Sequence, residues 1–302
     1  MKTANKTATT VLHLGLVALV CLFFTDTRAH ADYIYASLVG DPGTIMRFDS
    51  RNGNGSVFAS GLNMPRGLAC DSSGNLYVRN EGDNTLVKFG PSGNRRGSIT
   101  VASSSDWSLA SDRSGNLYVP IGGTIWKYNS SLGNGSLFAN FGTAWLACDR
   151  SGTLYASSGN TIEKFDSLGN HSTFATLSYG TGAGCFDFDG GGNLDVWALD
   201  SITRTRYVIE KFDPSGHEFQ HFYMDLNTPR GLVCDGNGNV YVADHLADKI
   251  EEYDSLGNAS VFASGLGSVW GLAEVPEPGA LALVLLGAST LLGSRCLRRR
   301  SS

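Results

Sequence analysis

A unit of four short strands recurs along almost the whole chain with a period near forty residues, and that period limits the fold more than any single residue does. The clearest copy runs from Gly231 to Ala263. Leu232 to Cys234 is a short apolar run, and Asp235-Gly236-Asn237-Gly238-Asn239 carries the Asx and glycine chemistry of a tight hairpin. Val240 to Ala243 and Lys249 to Tyr253 follow as second and third strands, and after a second turn at Asp254 to Asn258, Ser260 to Ala263 ends the unit. The turn aspartates Asp71, Asp112, Asp149, Asp189 and Asp235 stand 41, 37, 40 and 46 residues apart. Second strands such as Leu76-Tyr77-Val78 and Leu117-Tyr118-Val119, and third strands such as Ile125-Trp126-Lys127-Tyr128 and Ile162-Glu163-Lys164-Phe165, repeat with that spacing. Strands at this period with no helical pattern predict an all-β fold, a six-bladed β-propeller of four-stranded antiparallel blades.

The ends of the array predict how the ring closes. Tyr33-Ile34-Tyr35-Ala36, Ile45-Met46-Arg47-Phe48 and Ser56-Val57-Phe58-Ala59 match strands two to four, with no first strand before them. Gly271-Leu272-Ala273-Glu274 matches a first strand and has no second after it. The C-terminal strand should therefore pair with the N-terminal blade and remove the two free edges.

Outside the repeats, both termini read as export signals. Lys2 and Lys6, an apolar run from Val11 to Phe24 and Ala29-His30-Ala31 form a secretory signal peptide over residues 1–31, with the mature chain beginning near Asp32. The propeller then spans 32–274. In 275–302, Val275-Pro276-Glu277-Pro278 precedes a short apolar stretch from Gly279 to Gly293 and the basic residues Arg295, Arg298, Arg299 and Arg300. The basic end should stay cytoplasmic and leave the body outside, with a short hydrophobic helix as a transient membrane anchor. This order of parts resembles the bacterial PEP-CTERM sorting signal. The resemblance implies processing by an exosortase-type membrane enzyme at Pro276, Glu277 and Pro278, and a product displayed on the cell surface or released. A plain C-terminal anchor is the alternative.

Charged residues make up 17% of the chain, the net charge is −5, and no basic patch lies in the body, so a nucleic-acid partner is not expected. Cys70, Cys148 and Cys234 hold the same place in different repeats, too far apart in a ring to bridge, and with Cys185 they should be unpaired thiols.

Strand order places a candidate site. The Asp-x-x-Gly-Asn and Ser-Leu-Gly-Asn turns share one face, and the loops that vary between copies share the other, where function is expected. The residue before each inner strand on that face is Arg66, Trp107, Ala144, Ala183 or Gly184, Arg230 and Trp270. Arg66, Trp107, Arg230 and Trp270 could hold an anionic or sugar-like ligand, or the tryptophans could plug the channel.

The repeats resemble NHL-repeat and gluconolactonase-like propellers, Gly238-Asn239-Val240-Tyr241-Val242-Ala243-Asp244 most closely. Gluconolactonase-like enzymes hold a divalent metal at the channel, and the resemblance makes Asn80, Glu81, Asp200 and Asp244 candidate ligands for Ca²⁺ or Mg²⁺. Asp244 has an alternative structural role at the strand end, and His245 has no neighbour in sequence that would make it a base. No nucleophile elbow, zinc-protease or phosphate-loop motif occurs. Two functional classes follow. One is an exported propeller without a cofactor that binds an extracellular polysaccharide or protein. The other is a metal-dependent lactonase- or lyase-like hydrolase.

Overall fold

The computed structural model describes residues 33–103, 108–143 and 145–275. Trp107, Ala144, both terminal signals and the Pro276-Glu277-Pro278 motif lie outside them. The described residues form six antiparallel sheets, each with four strands on its main path, and one single-turn 3₁₀ helix at His245–Ala247. Blade 1 consists of Val269–Glu274, Tyr33–Leu38, Gly43–Asp49 and Gly55–Leu62, from the inner strand outward. The inner strands of blades 2, 3, 4 and 6 are Pro65–Cys70, Ala110–Ser111, Leu146–Cys148 and Pro229–Cys234. Blade 5 has a split inner strand, Gly180–Thr181 and Phe186–Phe188, both paired with Leu194–Asp200. The predicted closure is present, with Ile34 opposite Glu274, Tyr35 opposite Ala273 and Ala36 opposite Leu272.

Local chemistry explains the regularity. In the turn between inner and second strands, Asp71 Oδ1 accepts the amides of Ser73 and Asn75, both at 2.9 Å, and Asn75 Nδ2 donates to Asp71 Oδ2 at 2.8 Å. Asp112, Asp189 and Asp235 repeat this arrangement, and Asp149 does so with Thr153 in the place of asparagine. Each such turn replaces with one carboxylate the partners that its amides would otherwise seek in water. The fourth residue of the turn is left-handed, with φ +85° at Gly238, which glycine adopts without a Cβ clash.

A second repeating contact fastens blade to blade. The phenylalanine of an outer strand packs edge-on against the tyrosine of its own second strand, as in Tyr35–Phe58, Tyr118–Phe138, Tyr155–Phe174 and Tyr241–Phe262, with centroids 4.7 to 5.1 Å apart. The turn glycine of the next blade lies against that phenylalanine. A Cβ on Gly93 would stand 2.6 Å from Phe58 O, and one on Gly216 would stand 2.0 Å from Phe174 O. Apolar layers buried between neighbouring blades form the core. Cys70, Cys148, Cys185 and Cys234 are free thiols, and burial pushes each above its ordinary range.

Candidate functional site at the channel mouth

Arg230, Trp270 and Arg66 come from the inner strands of blades 6, 1 and 2, which are neighbours in the ring. Each is the second residue of its strand, inside it and not ahead of it. At this level the pairing with the second strand slips, between Pro65 and Leu68, between Pro229 and Leu232, and opposite Ala36 to Leu38 in blade 1. Such an irregularity re-aims side chains at a sheet end. Two of the glycines at these slips, Gly271 and Gly231, are required by close backbone approach. A Cβ on Gly271 would lie 1.9 Å from Arg66 O, and one on Gly231 would lie 2.6 Å from Leu272 N. The Ser37 hydroxyl ties the strands together, donating to Arg66 O at 2.9 Å and accepting the Gly271 amide at 2.8 Å.

Arg66, Arg230 and His245 all meet the Trp270 ring at this mouth. The Trp270 ring, only 7% exposed, has the Arg66 guanidinium carbon 4.1 Å and the Arg230 guanidinium carbon 4.5 Å from its centroid. His245 packs edge-on against the same ring at 4.8 Å, with Nδ1 3.0 Å from Val269 O. Arg66 forms an ion pair of 2.5 Å with Glu81. Burial draws the Arg66 guanidinium below its ordinary range, Glu81 opposes that shift, and the Arg230 charge adds to it. Among the described residues Arg230 has no carboxylate within ion-pair distance, and its buried Nε has no hydrogen-bond partner. Two cations, one carboxylate and an indole that supports both cations leave the mouth with an excess positive charge.

The other candidate residues are committed locally. Asn80 Nδ2 donates to Thr85 Oγ1 at 3.2 Å. Asp244 accepts the amides of Asn227 and Thr228 at 3.0 and 2.9 Å, which holds the connector into blade 6. Asp200 accepts the Thr203 hydroxyl and its amide, and those bonds hold its carboxyl below the usual range. Among the described residues no three His, Cys, Asp or Glu side chains converge in a geometry that could hold a metal ion. Glu81 faces Arg66, and the Asp200 and Asp244 carboxylates accept hydroxyls and amides, whereas the buried Asn80 Oδ1 has no hydrogen-bond partner among the described residues; a divalent ion at these four residues stays an expectation of the gluconolactonase resemblance.

Blade 5 contains chemistry that motif reading passed over. In blades 2, 3 and 4 a second-strand tyrosine faces a third-strand lysine, with Lys88, Lys127 and Lys164 at 5.0, 5.1 and 5.6 Å from the rings of Tyr77, Tyr118 and Tyr155. Blade 5 has Asp195 in the tyrosine's place, and a buried ion pair with Lys211 at 2.7 Å replaces the cation–π contact. The Cys234 thiol of blade 6 donates to Asp195 Oδ2 at 3.2 Å. Burial pushes the Asp195 carboxyl up to about 6 although Lys211 pulls it down. The visible signal was Asp195 after Leu194, at the place where every other copy has a tyrosine, as in Leu76-Tyr77 or Val240-Tyr241.

No protein-family model matches the sequence, and no curated protein matches it. Among solved structures, a chain from a crystal structure titled a nidogen/laminin complex superposes with a TM-score of 0.67 at 15% identity, over 81% of this chain and 98% of that one. The fold is a six-bladed β-propeller. At that identity the likeness is one of fold alone.

Proposed function

We propose that this propeller is an exported, non-enzymatic binding module that engages an anionic group of an extracellular polysaccharide or protein at the mouth formed by Arg66, Arg230 and Trp270. The observation that supports it best is Arg230, a guanidinium braced on an indole and left without a carboxylate, with Nε donor capacity unused. A planar guanidinium held in place presents paired donors suited to a carboxylate or sulfate, and little side-chain entropy is lost on binding. Arg66, already paired with Glu81, positions the stack and contributes field; Trp107, expected at the same mouth, would extend the indole surface.

The expected result is saturable binding of polygalacturonate but not of neutral dextran, measured by calorimetry on residues 32–274. Arg230→Ala should lower the affinity about tenfold or more, in keeping with one charge-assisted bidentate contact, while Arg230→Lys restores only part of it. Equal affinity in wild type and Arg230→Ala would remove the mouth from the account. Export is the other half of the proposal, carried by the signal-like residues 1–31 and the Pro276-Glu277-Pro278 tail with its exosortase-type processing enzyme. Mass spectrometry of the product from a host with such an enzyme should give a chain that begins near Asp32 and lacks the basic end. An intact chain in the cytoplasm would contradict it.

A further inference from the structure

Beneath the mouth, the ring encloses an axial cavity of about 380 Å³. Part of its wall is made by the residue two positions before each turn aspartate position: Ala273, Ala69, Ala110, Ala147 and Val233 in five blades, and Asp187 in blade 5. A single carboxylate thus interrupts an otherwise small apolar layer. Asp187 Oδ2 accepts the Cys234 amide of blade 6 at 3.1 Å, and the residue keeps partial exposure that opens onto the cavity. The charges that act on it are acidic, Asp195 and Asp189, while the nearby cation Lys211 is engaged by Asp195. Burial and these neighbours push its carboxyl up to about 7. The remaining charged lining groups lie toward the ends. Asp112, Asp149 and Asp235 are held in their turns, Arg66 is paired with Glu81, and Arg113 and Arg150 are exposed at the turn-side rim. Glu274 adds a second acid to the lining.

A carboxylate held in a cavity without a cation of its own is completed by a guest that brings one, because each charge offsets the other's desolvation. We propose that the axial cavity binds a small organic ammonium ion, with Asp187 as its counter-ion. The cavity holds a guest of several heavy atoms, and its alanine and leucine walls suit a short alkyl chain behind the charged head. Arg66 and Trp270 of the mouth also line one end of this cavity, but Asp187 is not a mouth residue and the proposal does not rest on anion binding there.

The probe is n-propylammonium, compared with 1-propanol and with sodium chloride at equal ionic strength, on the folded mature chain by calorimetry and thermal denaturation. Saturable binding and a raised Tm are expected for the ammonium alone. The affinity should fall about thirtyfold between pH 8 and pH 5.5, where the guest must displace a proton from the carboxyl. Asp187→Ala restores the residue of four sister blades and should fold without loss, yet bind n-propylammonium at least tenfold more weakly; Asp187→Asn keeps the shape and should do the same. A cooperative thermal transition and an unchanged circular dichroism spectrum in both variants report that they are folded. A response to n-propylammonium no larger than to sodium chloride, or one that persists in the variants, overturns the proposal.

Discussion

Deleting Val269–Glu274 should abolish cooperative folding rather than merely trim an edge. That strand is the last of the described strands in sequence but forms the innermost strand of blade 1, pairing along Tyr33–Leu38. Val269, Trp270, Leu272 and Ala273 are all buried, and the cores under blades 1, 2 and 6 include Leu272 and Ala273. Burying a large aliphatic or aromatic side chain contributes about 1.5–3 kcal/mol, so the four together contribute on the order of 6–8 kcal/mol. That is comparable with the whole stability of a typical domain, about 5–15 kcal/mol. The loss also exposes the backbone edge of Tyr33–Leu38, a template for aggregation. Circular dichroism and size-exclusion chromatography of a chain ending at Ser268 should show an aggregating, non-cooperative species. A sharp unfolding transition within a few degrees of the parent's would contradict closure by this strand.

The second large effect is Lys211→Met. The substitution leaves Asp195 fully buried among apolar walls without its cation, and breaking a buried pair from one side costs about 3–5 kcal/mol. The cost depends on pH in a defined direction. Asp195 is pushed up to about 6 in the folded protein, above an ordinary carboxylate, so the folded state holds the proton where the unfolded chain has released it. Stability from this group is therefore fully present below about pH 4 and is lost as pH rises through about 6. Without Lys211 the folded value moves higher still and the loss continues further toward alkaline pH. The gap between variant and parent in chemical denaturation should be small near pH 4 and complete by pH 8 to 9. The double change Lys211→Met with Asp195→Tyr, which recreates an aromatic second-strand residue as in blades 2 to 4, should recover most of the loss. A gap independent of pH would show that Lys211 acts through packing of its stem alone.

The ring was legible because its causes are local. An aspartate that caps two amides, a left-handed glycine and an alternating strand can each be read from a few adjacent residues, and five copies at a common spacing make the assignment overdetermined. Closure was legible for a related reason: Tyr33 to Ala59 lacked a first strand and Gly271 to Glu274 lacked a second. The mouth was legible only in membership. Arg66, Arg230 and Trp270 occupy one position of the repeat, but the repeat does not say that both guanidiniums would lie on one indole or that Glu81 would turn inward to Arg66. Those contacts join blades 6, 1 and 2 across more than two hundred residues of chain, through rotamers that a linear pattern does not encode. The surroundings of the candidate metal ligands were illegible for a complementary reason. Asp200 and Asp244 end second strands, where the nearest donors are amides of adjoining loops, and those amides take the carboxylates first. In blade 5 the departures Asp187 and Asp195 were visible as letters, but only the packed neighbours reveal that one holds a lysine and the other faces a cavity.

Ligand is expected to meet the propeller at the Arg66, Arg230 and Trp270 mouth on the variable face. Hydrogen–deuterium exchange with and without bound polygalacturonate tests it most directly. Protection is predicted in the connectors around that mouth, 79–84, 226–230 and 245–249, with the turns at 71–75 and 235–239 on the opposite face unchanged. Protection confined to those turns, or spread evenly over the outer strands, would contradict it.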